Sequence, residues 1–359
     1  MIPGRRHLLG GAAACALAPG AALAARPWAA VTRRLAADYP ADGPGAVAIA
    51  ARGERIAYAR GFGLAELELG VPMGADSVVR IASLTKQFTA VATLRLIEAG
   101  GLSLDDSLAL RLADCPTAWR PITLRNLLSQ TSGLTGDMAA IFAQPLVDRS
   151  PGELLAPFRD RPLTAPPGAR WGYSNLNYWL LGKIIETTTG EPYADHIVRH
   201  VLAPGMTRTR YGDVGAVIPG RALGYEREGG GPWRNARAFS QTIGYAAGGF
   251  LSTPADMARW YAALGRGEIV GRRMLNLAGE AVRTLDGKPT GYGLGWYVSQ
   301  IGGERVLHHG GSSIGFMAYD FWVPARRLFA GVFQNSSDER GEPRDAARAV
   351  LAALVAKAP

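Results

Sequence analysis

The sequence predicts an α/β (α+β) fold interrupted by a mainly helical insertion, and three observations carry that expectation. Strand-like stretches rich in β-branched and aromatic residues cluster near the two ends, at 46–59 and again at 294–334. Apolar helical patterns follow each cluster, at 82–99 and at 345–357. Between them, 101–238 breaks into short helical patterns separated by Pro and Gly clusters. Strand–helix pieces at both termini with helices between fit a sheet-containing domain with an insertion. The expected division is an export segment at 1–24, a sheet domain from 25–100 and 245–359, and a helical insertion domain at 101–244.

The chain of 359 residues is 48% hydrophobic and 19% charged, values ordinary for a globular protein and against disorder. Its net charge of +9 is spread over isolated arginines and pairs such as Arg33-Arg34 and Arg326-Arg327. Nucleic-acid binding needs a clustered basic stripe, so no nucleic acid partner is expected.

The elements follow in order. Arg5-Arg6-His7-Leu8-Leu9, a small apolar run and Ala22-Leu23-Ala24 read as a twin-arginine signal peptide with an A-x-A cleavage site. The expected destination is the bacterial periplasm or the outside, with no stable membrane span after cleavage. Ala12-Ala13-Ala14 before Cys15 lacks the leucine of a lipoprotein signal, and cleavage would leave Cys115 alone, without an internal disulfide. An amphipathic segment at 28–39 leads to a hairpin, Ala46–Ala50 and Arg55–Ala59, across Arg52-Gly53. A short strand ends near Ile81, and a helix runs from there to Gly100-Gly101, with Phe88, Val91 and Leu94 on one face.

Beyond it, Thr123 caps Leu124–Leu128, Asn177–Thr187 is helical, and Glu226–Arg234 reads as a flexible loop rather than a phosphate cradle. Thr253-Pro254-Ala255-Asp256 opens another helix, with threonine at N-cap, proline at N1 and a carboxylate at N3. Strands are expected at 294–299, 305–309, 316–323 and 328–334.

Ser83-Leu84-Thr85-Lys86 is the stretch with the most chemistry. Ser83 and Lys86 are three apart at a helix start, so they share a face and their heads can meet. Lys86 is the only charged residue between Ile81 and Leu94, and desolvation lowers an amine's pKa toward that of a base. The alternative is an N-cap serine followed by an ordinary lysine. In Trp171-Gly172-Tyr173-Ser174-Asn175, the side chains of Tyr173 and Asn175 alternate toward one cleft. A phenol near a cationic lysine ionises more easily, so Tyr173 is a candidate proton carrier; the alternative is a packed tyrosine.

Leu307-His308-His309-Gly310-Gly311-Ser312 ends a strand whose glycines allow close backbone approach. Gly311-Ser312-Ser313-Ile314-Gly315 matches a G-x-S-x-G elbow, but strand rather than helix follows it and no histidine lies downstream of 309. His196 and His200 have a zinc-like i, i+4 spacing, yet the sequence offers neither the H-E-x-x-H glutamate nor an evident third ligand, so no metal is expected. Asp105-Asp106 reads as a helix N-cap rather than a glycosidase pair.

Taken in order, Ser83-x-x-Lys86, Tyr173-Ser174-Asn175 and His309-Gly310-Gly311 resemble the three motifs of the serine β-lactamase and penicillin-binding protein superfamily. The chain looks most like the branch holding class C β-lactamases, D-Ala-D-Ala carboxypeptidases, D-aminopeptidases and family VIII esterases. Leu127–Leu134, Gly248–Thr253 and Gly315-Phe316 are also similar to that branch. The resemblance implies a β-lactamase/transpeptidase-like fold, an antiparallel sheet flanked by helices. It also implies that Ser83 is acylated, that Lys86 and Tyr173 share proton transfer, and that Asn175, His309, Gly311 and Ser312 bind substrate. The N–H groups of Ser83 and Ser312 would form the oxyanion hole.

No cofactor and no metal are implied, and the implied substrates are a small ester or amide or a peptidoglycan-type peptide. The resemblance leaves esterase and D-amino-acid peptidase level. His309 stands where β-lactamases carry lysine, which makes efficient β-lactam hydrolysis less expected. Gln130 stands where relatives often have histidine.

Overall fold

The computed structural model describes residues 19–135, 141, 144–213, 215–338 and 341–356. Most of the expected signal peptide, including Arg5-Arg6 and Cys15, therefore lies outside the described residues, while helix α1 spans Pro19–Asp38. Its Pro19–Ala24 portion falls within that expected segment.

The centre is a six-stranded sheet of β1 (Ala46–Arg52), β2 (Arg55–Phe62), β3 (Tyr297–Ile301), β4 (Glu304–Ser313), β5 (Phe316–Val323) and β6 (Leu328–Gln334). Its order is β3-β4-β5-β6-β1-β2, antiparallel throughout. The two chain-distant clusters thus meet where β1 pairs with β6, Ala46 opposite Gln334. Side chains alternate along a strand, and both faces of this sheet are covered. On β1, Val47, Ile49 and Ala51 enter a large core with the helices of the site, and Ala46, Ala48 and Ala50 pack under α1 and α7 (Arg344–Ala356).

Helix α2 (Thr85–Glu98) is more enclosed than its sequence suggested. Every residue from Thr85 to Leu94 is buried, polar ones included, so it is a central helix and not an amphipathic one. Its buried threonines have partners: Thr89 Oγ1 donates to Ala246 O at 2.6 Å and Thr93 Oγ1 to Thr89 O at 2.9 Å. Around α2 lie α3 (Leu124–Leu128), α4 (Asn175–Thr189), α5 (Tyr193–His200) and α6 (Pro254–Arg266). Thr123 caps α3 in a reciprocal box with Asn126, and Thr253 Oγ1 accepts from Asp256 N at 3.0 Å at the start of α6.

Two local expectations are corrected. Tyr225–Glu226 and Arg234–Asn235 are short strands, the first pairing in parallel with Ser336–Ser337, so the 226–234 stretch is anchored at both ends. Asp106 caps no helix. Its Oδ2 accepts from Ser103 N and pairs with Arg111, and Ser107 holds the N-cap position of the short helix that follows.

Candidate active site

Ser83 lies in a 3-10 turn, Ala82–Leu84, that runs directly into α2. Ala82 just before it has φ +46°, a left-handed conformation that costs an L-residue about 1–2 kcal/mol. Packing holds it there. The turn is approached by β4 at Gly311, where a Cβ would stand 2.3 Å from Ile81 O and 3.4 Å from Ser83 N. Glycine is therefore required for the strand to run this close to the nucleophile candidate.

Lys86 is fully buried one helical turn on. Its Nζ is 3.2 Å from Ser83 Oγ, 2.8 Å from Asn175 Oδ1 and 2.9 Å from Ala247 O. Among the described residues no carboxylate pairs with it. Burial alone pushes its pKa well below the usual lysine value. Asn175 Oδ1 and Ala247 O can only accept, so two of the lysine's donors go to them and the third points at Ser83 Oγ. On losing that third proton, the amine presents its lone pair to the Ser83 hydroxyl.

Tyr173 reaches the same point from the other side. Its ring centroid is 4.9 Å from Lys86 Nζ and 6.1 Å from the His309 ring, and 38% of the residue is exposed. The crowding around its hydroxyl raises the phenol above its ordinary value, and a hydrogen bond with Ser83 only partly offsets this. This corrects the expectation of an easily ionised phenol: burial outweighs the neighbouring amine and holds the tyrosine in its protonated form.

His309 is buried, with Nδ1 2.6 Å from Gly310 O and Nε2 3.1 Å from Tyr292 OH. A carbonyl can only accept, so Nδ1 carries the proton and Nε2 accepts from the tyrosine. Burial, and next the proximity of Lys86, lower its pKa to about 3, leaving a neutral imidazole. Ser83, Tyr173, Asn175, His309 and Ser312 line one cavity of about 470 Å³, which also holds Glu342 and Arg344. A smaller apolar recess of about 100 Å³ meets it at Ser83 and is walled by Phe239, Ile243 and Ile314. The structure thus brings Ser83, Lys86, Tyr173, Asn175, His309, Gly311 and Ser312 together.

Sequence reasoning missed two residues here and left a third without a role. Glu342 and Arg344 sit at the mouth of the last helix, and nothing in their spacing points to a cleft. Gln130 was singled out without a role. Its main-chain O accepts from Gly172 N at 2.8 Å and its Oε1 from Ser174 N at 3.0 Å, bracketing Tyr173. Its φ of +61° within Ser129-Gln130-Thr131 marks an unusual backbone role that no sequence pattern announces. The histidine pair His196 and His200 lies outside this cleft, on α5.

Fold and site together define a protein of the β-lactamase type, and the chain belongs to the Beta-lactamase family, whose pattern it matches over residues 32–354. It is 31% identical over 288 residues to penicillin-binding protein 4* of Bacillus subtilis (strain 168), covering 73% of this chain and 62% of that protein. The chain spans about six-tenths of the length of the curated relatives it matches. Among solved structures, it is similar to the octameric penicillin-binding protein homologue from Pyrococcus abyssi. That match has 27% identity and TM-score 0.79, covering 92% of this chain and 77% of that one. It is also similar to the D-amino acid amidase from Ochrobactrum anthropi SV3 complexed with L-phenylalanine amide. There the identity is 25% and the TM-score 0.78, over 93% of this chain and 100% of that one.

Proposed function

We propose that the protein is an exported serine hydrolase that cleaves an ester or amide through an acyl-enzyme on Ser83, as an esterase or a D-amino-acid peptidase. The observation that carries this reading is the contact between Lys86 Nζ and Ser83 Oγ, with the other two Lys86 contacts taken by acceptors. Lys86 takes the Ser83 proton as Oγ bonds to the substrate carbonyl carbon. The Tyr173 hydroxyl then protonates the departing alcohol or amine and is reprotonated from Lys86. Water attacks the acyl carbon by the reverse relay and releases the acid.

The N–H groups of Ser83 and Ser312 serve as the oxyanion hole, an arrangement often worth ~3 kcal/mol. The Ser83 and His309 segments come from the proposed sheet domain, and Tyr173 and Asn175 from the proposed helical insertion. Export to the periplasm or outside rests on the twin-arginine pattern, and no described helix is long and apolar enough to cross a membrane. The substrate is a small ester or amide or a peptidoglycan-type peptide. The apolar recess beside Ser83 supports an acyl or side-chain group, and Glu342 and Arg344 support a charged end such as that of an amino acid.

A β-lactamase, or a penicillin-binding sensor that acylates with little turnover, is the second reading, supported by the penicillin-binding relatives. A neutral His309 argues against efficient β-lactam turnover, because it offers no cation to the β-lactam carboxylate. Parallel assays with p-nitrophenyl butyrate, D-phenylalanine amide, a D-Ala-D-Ala peptide and a chromogenic cephalosporin test the choice. Turnover of the ester or the D-amino-acid compounds supports the first reading, and a persistent cephalosporin adduct without turnover of any of them overturns it.

A further inference from the structure

The two imidazoles one turn apart on α5 gain a third partner on folding. Glu191, in the turn between α4 and α5, places Oε2 3.2 Å from His196 Nδ1 and 3.2 Å from His200 Nε2. The three donor atoms all lie within 4.8 Å of one another. Tetrahedral zinc with bonds of about 2.0–2.1 Å separates its ligand atoms by roughly 3.3–3.4 Å. Two of the three edges are therefore close to that spacing, and a rotation of the exposed His200 ring can adjust the third.

The surroundings suit a ligand role. Glu191 Oε1 is held by Arg199 Nη1 at 3.2 Å, and Arg199 is tied in turn to Asp195 at 3.3 Å. The carboxylate is thus oriented through the oxygen that the imidazoles use less, as outer partners orient metal ligands. The cluster opens on a cavity of about 470 Å³ that also carries Glu98, leaving room for a water ligand. Arg95 lines the same cavity, but its guanidinium is engaged by Ile269 O.

We propose that Glu191, His196 and His200 form a binding site for a divalent transition metal of the zinc class, with water in the fourth position. The metal clips the turn after α4 to the end of α5, beside the C-terminal half of α2. It stands apart from the Ser83 cleft and stabilises the fold rather than taking part in hydrolysis.

The test uses the untagged, full-length protein stripped with a chelator, titrated with zinc by calorimetry and with cobalt(II) by visible absorption. His200→Ala and Glu191→Gln are run beside it. The sequence has five histidines, and His308 and His309 are buried, so competing sites are few. One equivalent of cobalt with tetrahedral-type bands is expected, displaced by zinc, with Tm rising as zinc saturates. His200→Ala should keep the metal-free Tm and lose at least about tenfold in affinity, and binding should fade below about pH 6. Ester hydrolysis should be equal with zinc and with chelator. No saturable binding, or equal binding by His200→Ala and Glu191→Gln, overturns the site.

Discussion

Gln130 Oε1 accepts the main-chain N–H of Ser174 at 3.0 Å and the Asn177 side-chain amide at 2.5 Å. Those bonds, with the one from Gly172 N to Gln130 O, fix both neighbours of Tyr173 in a segment that has no regular structure of its own. The residue that sets the tyrosine's place is therefore buried behind it rather than in the cleft.

Gln130→Met, of similar length but with no acceptor, should lower kcat by about 10- to 100-fold, because small displacements of a proton donor are costly. The loss of two buried hydrogen bonds should also cost about 1–3 kcal/mol. Steady-state kinetics with thermal melts checks this; unchanged kcat in a folded variant would show that Tyr173 is placed by other contacts.

Two pKa directions set the pH profile. Lys86 acts as a base when deprotonated and is lowered, while Tyr173 acts as an acid when protonated and is raised. kcat/KM should therefore rise with pH through the depressed Lys86 value, hold a broad plateau, and fall only in strong alkali. His309, at about 3, contributes no step near neutrality. His309→Gln should leave the acid limb in place, and Lys86→Met should cost about 10²- to 10⁴-fold. An acid limb that moves with His309 would assign the base differently.

Asp320 is a buried carboxyl on β5, with Tyr261 OH at 2.9 Å and Gln87 Nε2 at 3.3 Å, and burial raises its pKa to about 7. The native protein thus keeps a proton that the unfolded chain releases above an ordinary carboxylate pKa. Its contribution to stability is full below about pH 4 and lost as pH rises through about 7. Asp320→Asn, isosteric and uncharged, should gain on the parent by ~2–4 °C between pH 5 and pH 8, on the order of 1 kcal/mol. Parallel Tm profiles would contradict this.

Much of the fold was legible because strand alternation and cap chemistry are local. The hairpin at Ala46, the N-caps at Thr123 and Thr253 and the strand at Phe316 all follow from near neighbours in sequence. The full burial of α2 was not legible, since the apolar face at Phe88, Val91 and Leu94 says nothing of the partners that Asp320 and Tyr193 supply to Gln87 and Thr89. Glu191 was missed as a partner of His196 for a related reason: it precedes the helix and joins the pair through a turn. The Tyr173 phenol was read with the wrong sign because sequence shows proximity to a lysine but not the burial that raises a phenol's pKa.

Intact-mass measurement during hydrolysis of p-nitrophenyl butyrate, for the parent and Ser83→Ala, tests the chemistry most directly. The parent should show a transient gain of one butyryl group, mapped by peptide digestion to Ser83, with a burst of nitrophenol when deacylation is slow. Ser83→Ala should show neither adduct nor turnover above the uncatalysed rate. Undiminished hydrolysis by Ser83→Ala, or an adduct on another residue, would contradict Ser83 as the nucleophile.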